Sequence, residues 1–101
     1  MKDYCSMDLN IEKRTVEFND VYVKRNGHIA KVDDVLNTLT VLIYSDKTQI
    51  PISDPDVVNY LSSYKLIKST GGGFYEMKDR ERCLEMSDAL SDYMDQLLEN
   101  F

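Results

Sequence analysis

The sequence is short of the residues on which metal, redox and acid–base chemistry depend. It has no tryptophan, one histidine, two cysteines, two prolines and four glycines. Cys5 and Cys83 lie far apart, form no CxxC pair and, with one histidine, give no metal-binding spacing. His28 follows a turn signal and is expected at the surface rather than as a general base. We therefore expect no catalytic residue, no metal and no cofactor, and two free thiols in a reducing cytoplasm.

Long apolar runs are also missing. The longest, VLIY at 41–44, is far shorter than the roughly 20 residues that a membrane-spanning helix needs. The opening residues, MKDYCSMDLNIEKR, contain no apolar region of the kind found in a signal peptide. The sequence therefore predicts a cytoplasmic protein without a membrane segment.

Apolar residues are nevertheless abundant and spread along the chain. They make up 43% of the 101 residues, which is enough for the core of one small domain. The net charge of −6 is unevenly distributed, because residues 65–82 carry five Lys and Arg against three Asp and Glu, whereas residues 83–101 carry five acidic residues and no basic one. A net acidic chain repels polyanions on average. The most basic segment is the one that contains three consecutive glycines.

Hydrophobic periodicity predicts a small α+β domain with an N-terminal β segment and a long C-terminal helix. Residues 1–13 are expected to be a loose start, and Asn26-Gly27 is a turn signal. The expected elements are, in order, strands containing Val16, Phe18, Val21 and Val23, a helix at 33–44, an edge strand at 48–52, a helix at 55–64, two strands around the glycines, and a helix at 79–99.

The helix expected at 33–44 has a less distinct sequence pattern than the helix expected at 55–64. The apolar pattern that predicts it begins before its first residue and recurs at steps of three and four, at Ile29, Val32, Leu36, Leu39 and Ile43. Asp33 or Asp34 is the expected cap. The final residues, TVLIY at 40–44, are rich in β-branched side chains, so a strand is the alternative there.

The helix expected at 55–64 has the clearest start. Asp54 is a favourable cap, Pro55 suits the first helical position, and Asp56 suits the positive end of the helix dipole. The apolar residues Val57, Val58 and Leu61 are expected to face the core. The opposite face is expected to carry Asp56, Asn59 and Ser63.

The glycines at 71–73 pose a choice between phosphate binding and chain reversal. Phosphate-binding loops need GxxxxGK or GxGxxG followed by a helix, whereas here Phe-Tyr-Glu follows. Strand-like residues on both sides, Leu66-Ile67 before and Phe74-Tyr75 after, favour a hairpin turn.

A helix, a glycine-tipped hairpin and a long helix in this order resemble the C-terminal half of winged helix-turn-helix domains. The positions that carry the resemblance lie within residues 54–80 and are Leu61, Leu66, Ile67, Gly72, Gly73 and Tyr75. The helix at 33–44 and the strand at 48–52 would then be the first helix and first strand. The family's second helix has no room between Ile52 and Pro55.

The resemblance implies a DNA-binding regulator. The helix would read or touch DNA, and the hairpin, the wing of the family, would neutralise phosphates with its Lys and Arg residues. The residues expected to contact double-stranded DNA are Asn59, Ser62, Ser63, Lys65, Lys68, Ser69, Thr70, Lys78, Arg80 and Arg82.

A second hypothesis follows from the acidic charge. Winged helices also serve as protein-binding modules, and a chain with a net charge of −6 suits a basic partner protein. In that case the protein would be an acidic binding module or inhibitor without DNA affinity. Its short length and its richness in Asn, Asp, Ser, Tyr and Lys favour a viral or mobile-element source.

The last helix has a wide apolar stripe. Several winged-helix regulators dimerise through such a helix, so the resemblance implies a homodimer. The residues expected at the dimer interface are Met86, Leu90, Tyr93, Met94 and Leu97. The alternative is that the whole stripe packs on its own domain.

Overall fold

The computed structural model describes residues 10–13 and 21–99, and the side chains of residues 21–96. This part of the chain is an α+β fold with three helices and six strands. Its elements, in chain order, are β1 (Asn10–Lys13), β2 (Val21–Arg25), β3 (His28–Lys31), α1 (Val32–Tyr44), β4 (Ile50–Pro51), α2 (Pro55–Ser63), β5 (Ile67–Gly71), β6 (Phe74–Met77) and α3 (Arg80–Glu99).

The first sheet contains β1, β2 and β3 in that order, all antiparallel. Asn26 and Gly27 connect β2 to β3 with φ values of 52° and 83°, the conformation of a type I′ hairpin turn, which confirms the turn signal. The expectation of a loose start is wrong for residues 10–13, because Asn10–Lys13 pairs with β2. The predicted strand residues Val16 and Phe18 lie outside the described residues.

Helix α1 follows β3 without a connecting loop. It begins at Val32, and Lys31 occupies the cap position with no side-chain hydrogen bond, so neither Asp33 nor Asp34 is the cap. Both aspartates lie in the first turn, where they favour the positive end of the helix dipole. The helix continues through the β-branched residues up to Tyr44, because the buried face of α1 outweighs their preference for strands.

The second sheet has the order β4-β6-β5, so β4 lies at one edge. Pro51 had predicted an edge strand, and the structure confirms it with bounds shorter than the expected 48–52. The Ile52 N–H donates to the Gly73 carbonyl at 3.2 Å, which joins the end of β4 to the tip of the β5–β6 hairpin. Residues 52–54 connect β4 to α2 without a helix.

The core lies between the two sheets and the three helices. Every buried residue in the described part is hydrophobic. The largest completely buried side chains include two tyrosines as well as aliphatic residues, namely Tyr60, Tyr64, Leu39, Leu61, Leu66, Met86 and Leu90.

Candidate nucleic-acid interface

Helix α2 is held at its N-terminus as the sequence predicts. The Asp54 Oδ1 accepts a hydrogen bond from the Asp56 N–H at 2.9 Å, and Pro55 is the first helical residue. Val57 and Leu61 are buried, which orients the helix. The exposed face carries Asp56, Asn59 and Ser62.

Ser63 differs from the other predicted contacts on α2. It is only partly exposed, and its Oγ donates a hydrogen bond to the Tyr60 carbonyl at 2.6 Å. Its hydroxyl proton is therefore used within the helix, as is common for serine near a helix end. Of the predicted polar residues on α2, Asn59 and Ser62 are the better placed for a partner.

Two buried tyrosines, Tyr60 in α2 and Tyr64 directly after it, pack into the core of the domain. Their ring centroids are 5.2 Å apart in an edge-to-face arrangement, and the Tyr60 hydroxyl donates to the Tyr64 hydroxyl at 3.3 Å. Sequence reasoning assigned the inner face to Val57, Val58 and Leu61 only. The step of three or four residues from Val57 and Leu61 was the signal that could have added the tyrosines.

The C-terminus of α2 is closed by Lys65 in a left-handed conformation, with φ of 59°. The Leu66 N–H donates to the Leu61 carbonyl at 3.2 Å, and the Lys65 N–H donates to the Ser62 carbonyl at 2.9 Å. This pair of bonds is a Schellman motif, in which the position of Lys65 is usually glycine. The motif turns the chain from α2 into β5 and leaves Lys65 exposed.

Strands β5 and β6 form the predicted glycine-tipped hairpin, which the resemblance would make a wing and which is called the wing below. Gly72 and Gly73 form its two-residue turn with φ of 63° and 83°, and Gly71 precedes them with φ of 103°. A Cβ at any of these glycines would meet nothing within 4 Å, so the turn requires them for positive φ and not for close packing. The hairpin prediction is therefore confirmed.

The predicted contacts on the wing are exposed. They are Lys68, Ser69 and Thr70, and the Ser69 Oγ accepts a hydrogen bond from the Gly71 N–H at 3.3 Å. Lys68 lies directly opposite Glu76 in the β5–β6 register. Because opposite charges at facing positions attract each other, Glu76 offsets part of the positive charge that the sequence assigned to the wing.

The predicted basic contacts at the start of α3 differ in their exposure and in their hydrogen bonds. Lys78 and Arg80 are exposed. Asp79 caps the helix, since its Oδ1 accepts a hydrogen bond from the Arg82 N–H at 3.2 Å. The Arg82 Nη1 donates to the Tyr64 carbonyl at 3.1 Å, at the end of α2. Arg82 therefore joins α3 to α2, and its expected DNA contact stays a prediction.

Arg25 is a residue that sequence reasoning missed. Its guanidinium carbon lies 4.1 Å from the centroid of the Tyr64 ring, a cation–π contact. Its Nε is buried and, among the described residues, has no hydrogen-bond partner. Arg25 and Arg82 thus both contact Tyr64, from a strand and a helix that are far apart in the sequence. No local signal points to this arrangement.

The apolar stripe of α3 belongs largely to the domain itself. Met86 and Leu90, both expected at a dimer interface, have no solvent-exposed surface and are part of the core. Tyr93 and Met94 are partly buried and pack against the same core. The side chain of Leu97 lies outside the described residues. The expected interface is therefore wrong for Met86 and Leu90, because their own domain already covers them.

Cys83 is buried at the start of α3. Burial, assisted by the Asp79 carboxylate and opposed by Arg82, raises the pKa of the thiol from its ordinary 9.0 to about 11. The thiolate form is thus disfavoured in the folded protein, which agrees with an unreactive core thiol. Cys5, the other cysteine, lies outside the described residues.

This shift predicts a pH dependence of stability. A pKa raised on folding means that the folded protein holds the proton more tightly than the unfolded chain does. The contribution of the Cys83 thiol to stability is therefore fully present below pH 9 and is lost as the pH rises through about 11. The stability lost by pH 11 should be on the order of 1–2 kcal/mol, because solvent screens part of the shift. Urea unfolding of wild type and Cys83→Ala from pH 8 to 11 measures it. An equal slope in both proteins would refute the assignment.

The conformation of Lys65 predicts a stabilising substitution. Because glycine adopts positive φ without strain, we expect Lys65→Gly to raise the free energy of unfolding by about 0.5–1 kcal/mol. The matched control is Lys68→Gly in β5, which should lower it by a similar amount, about 0.5–1 kcal/mol. Urea denaturation at neutral pH measures both, and destabilisation by Lys65→Gly would contradict the Schellman geometry.

Membrane-spanning and metal-binding features are absent from the described residues. No helix in the described part of the chain combines the length and apolar character needed to cross a membrane. Among those same residues, no three His, Cys, Asp or Glu side chains come together in a way that could hold a metal ion. His28 is exposed, as the sequence predicts.

Comparison of the chain with protein-family models, curated proteins and solved structures finds no match.

Proposed function

We propose that this protein is a cytoplasmic regulator that binds double-stranded DNA as a homodimer. The C-terminal half of α2 and the β5–β6 wing would provide the DNA-binding surface. The observation that carries the proposal is the set of exposed polar side chains on these two elements, called here the polar strip. It consists of Asn59, Ser62, Lys65, Lys68, Ser69 and Thr70, with Lys78 and Arg80 at the base of the wing.

The chemistry of the strip suits a nucleic acid. Asn and Ser side chains can bond to base edges or phosphates, and exposed Lys and Arg side chains neutralise phosphates. Two of the predicted residues contribute less than expected, because Ser63 bonds within its helix and Arg82 bonds to the end of α2. The remaining eight keep exposed side chains.

Lys65 gives further support. A lysine in the left-handed conformation carries a steric cost of roughly 1 kcal/mol that glycine avoids. Its side chain is exposed at the junction of α2 and the wing. A cation at this point would reach a phosphate between the part of DNA touched by the helix and the part touched by the wing. A binding role explains why lysine occupies the position.

The acidic residues define which end of α2 would approach DNA. Asp54 and Asp56 lie at its N-terminal end, and like charge with phosphate disfavours contact there. The favourable end is the one near Lys65. We therefore place the contact at the C-terminal half of α2, and α2 would lie across the groove edge rather than enter it by its first turn.

The resemblance to winged helices supports the same surface. Helix α2, a glycine-tipped hairpin and the long helix α3 follow each other in the order that the family has. The buried residues Leu61, Leu66 and Ile67 hold the helix and wing together. The chain departs from the family in the direct connection of β4 to α2 through residues 52–54.

The proposed homodimer would use the later part of α3. With Met86 and Leu90 in the core, the predicted contacts that remain partly exposed in the later turns of the helix are Tyr93 and Met94. Leu97 is the third proposed contact. Sedimentation of the wild type and of Met94→Asp tests this, since a wild-type monomer would exclude the dimer.

The direct test of DNA binding is fluorescence anisotropy of a labelled mixed-sequence duplex, titrated with protein from low to physiological salt. Binding through several phosphates should weaken steeply with salt, with a logarithmic slope of about −0.9 for each phosphate neutralised. Absence of binding even at low salt would reject the proposal.

A second candidate is an acidic module or inhibitor, of viral or mobile-element origin, that binds a basic partner protein and not DNA. The observation in its favour is an open groove beside α1 and α2 that carries carboxylates and no basic side chain. Electrostatic complementarity would then select the partner. In the same titration this candidate predicts no DNA binding at low salt.

A further inference from the structure

An open groove lies between α1 and the segment that runs from β4 into α2. Its volume is about 320 Å³, near the lower end of the range for binding pockets. It is lined from one side by α1 and from the other by residues 50–54 and the first turn of α2. None of its lining residues is among the predicted DNA contacts, so the groove is a separate surface.

The charged residues of the groove are all acidic. Asp34 and Asp54 line it, and the other polar lining residues are the neutral Asn37, Thr38 and Ser53. Asp33 and Asp56, next to the lining carboxylates, are exposed and add to the negative potential. A partner with Lys or Arg side chains is therefore the electrostatically complementary one.

The groove also offers an apolar surface. Val41 on α1 lines it and is 48% exposed, so an apolar side chain is open to contact at the wall of the groove. Ile50, Ile52 and Val57 line the groove as well and are buried, so they form its base. An apolar side chain inserted here would cover Val41 and contact this base.

The edge of the second sheet limits what form the partner takes. The Ile52 N–H bonds inward to Gly73, so the alternation of an antiparallel ladder places the nitrogen of Pro51 on the outer edge. Proline has no N–H to donate, and β4 has only two residues. An added strand would find little to bond to, which favours a helix, whose backbone bonds are internal.

We propose that this groove binds a basic amphipathic helix of a partner protein. An apolar side chain of that helix packs on Val41, and its Lys or Arg side chains lie beside Asp34 and Asp54. The inference gives the second candidate function its binding surface. It does not depend on DNA binding, because the two surfaces share no residue.

The probe is a fluorescently labelled synthetic amphipathic helix of leucine and lysine, with a matched helix in which glutamate replaces lysine. We expect wild type to bind the lysine helix at least about tenfold more tightly than the glutamate helix. Asp34→Lys should weaken binding about tenfold, because it replaces an attraction by a repulsion. Val41→Ser should weaken it about fivefold through the loss of apolar contact.

Two neighbouring residues provide matched controls. Asp33→Lys makes the same charge change one residue away but outside the lining, and should change the affinity less than about threefold. Tyr44→Ser removes another exposed apolar side chain of α1 that does not line the groove, and should leave the affinity unchanged. Thermal melts of all four variants check that each is folded.

Three outcomes would overturn the proposal. The first is failure of wild type to bind the lysine helix. The second is an equal loss in Asp33→Lys and Asp34→Lys, which would show general charge attraction. The third is self-association that Val41→Ser abolishes, which would make a second copy the occupant. Lys78→Gln, which should weaken the proposed DNA binding, should bind the peptide as wild type does, so failure of the DNA-binding proposal would not affect this test.

Discussion

Leu90→Asp is expected to unfold the domain rather than to separate a dimer. Leu90 has no exposed surface and lies in the core with Leu39, Leu61 and Met86. The change removes a buried leucine, worth about 2–3 kcal/mol of apolar transfer, and adds a carboxylate that must be ionised in the core or be protonated. We expect a loss of at least about 4 kcal/mol, a large part of the stability of a domain of this size.

Far-UV circular dichroism and urea unfolding of Leu90→Asp measure this effect. The control is Gln96→Asp, an exposed position on the same helix, which should stay within about 0.5 kcal/mol of wild type. A Leu90→Asp protein that unfolds at the wild-type urea concentration but sediments at a lower mass would show that Leu90 lies at an interface. That result would contradict its place in the core.

Removal of four cations from the proposed DNA surface should have the second large effect. We expect the combined change of Lys65, Lys68, Lys78 and Arg80 to glutamine to weaken duplex binding on the order of 10²–10³-fold at low salt. The salt dependence should become shallower at the same time, because fewer counterions are released per binding event. Arg82 is left unchanged, since its bond to the Tyr64 carbonyl supports the fold.

Two single variants distinguish a local contact at the base of the wing from a general effect of net charge. Lys78→Gln and Lys24→Gln each remove one exposed positive charge, the first at the base of the wing and the second on β2. We expect Lys78→Gln to weaken binding about fivefold and Lys24→Gln less than about twofold. Equal losses from both would show that binding follows net charge, and would remove the wing as the site.

The two proposed binding surfaces can be tested separately. The polar strip from α2 to the hairpin carries exposed Lys and Arg side chains, whereas the groove beside α1 carries carboxylates and no basic side chain. Both involve α2, the groove at its first turn and the strip at its last turns. A partner in the groove and DNA on the strip would therefore be detected by different variants of one protein.

Several features of the fold could be read from neighbouring residues alone. The start of α2 follows from Asp54 and Pro55, because capping and a fixed φ act within a few residues. The two hairpin turns follow from Asn26-Gly27 and from the glycines at 71–73, because these residue types adopt positive φ at little steric cost. The sequence by itself therefore determined where these elements begin, end and reverse.

Other features depend on which surfaces meet. The α3 stripe gave no means to tell Met86 and Leu90, which are buried, from Tyr93 and Met94, which remain partly exposed. Periodicity identifies an apolar face, but the neighbouring elements decide how much of that face they cover. The same limit applies to the exposure of Val41 and so to the groove.

The tertiary structure alone decided the roles of the arginines. Arg25 stacks on Tyr64, and Arg82 bonds to the carbonyl of the same residue, although 39 and 18 positions separate them from it in the sequence. Local preferences carry no information about such contacts, because they form only when β2, α2 and α3 pack together. The sequence determines that these side chains are positively charged, whereas the fold determines whether each one is available to contact a partner.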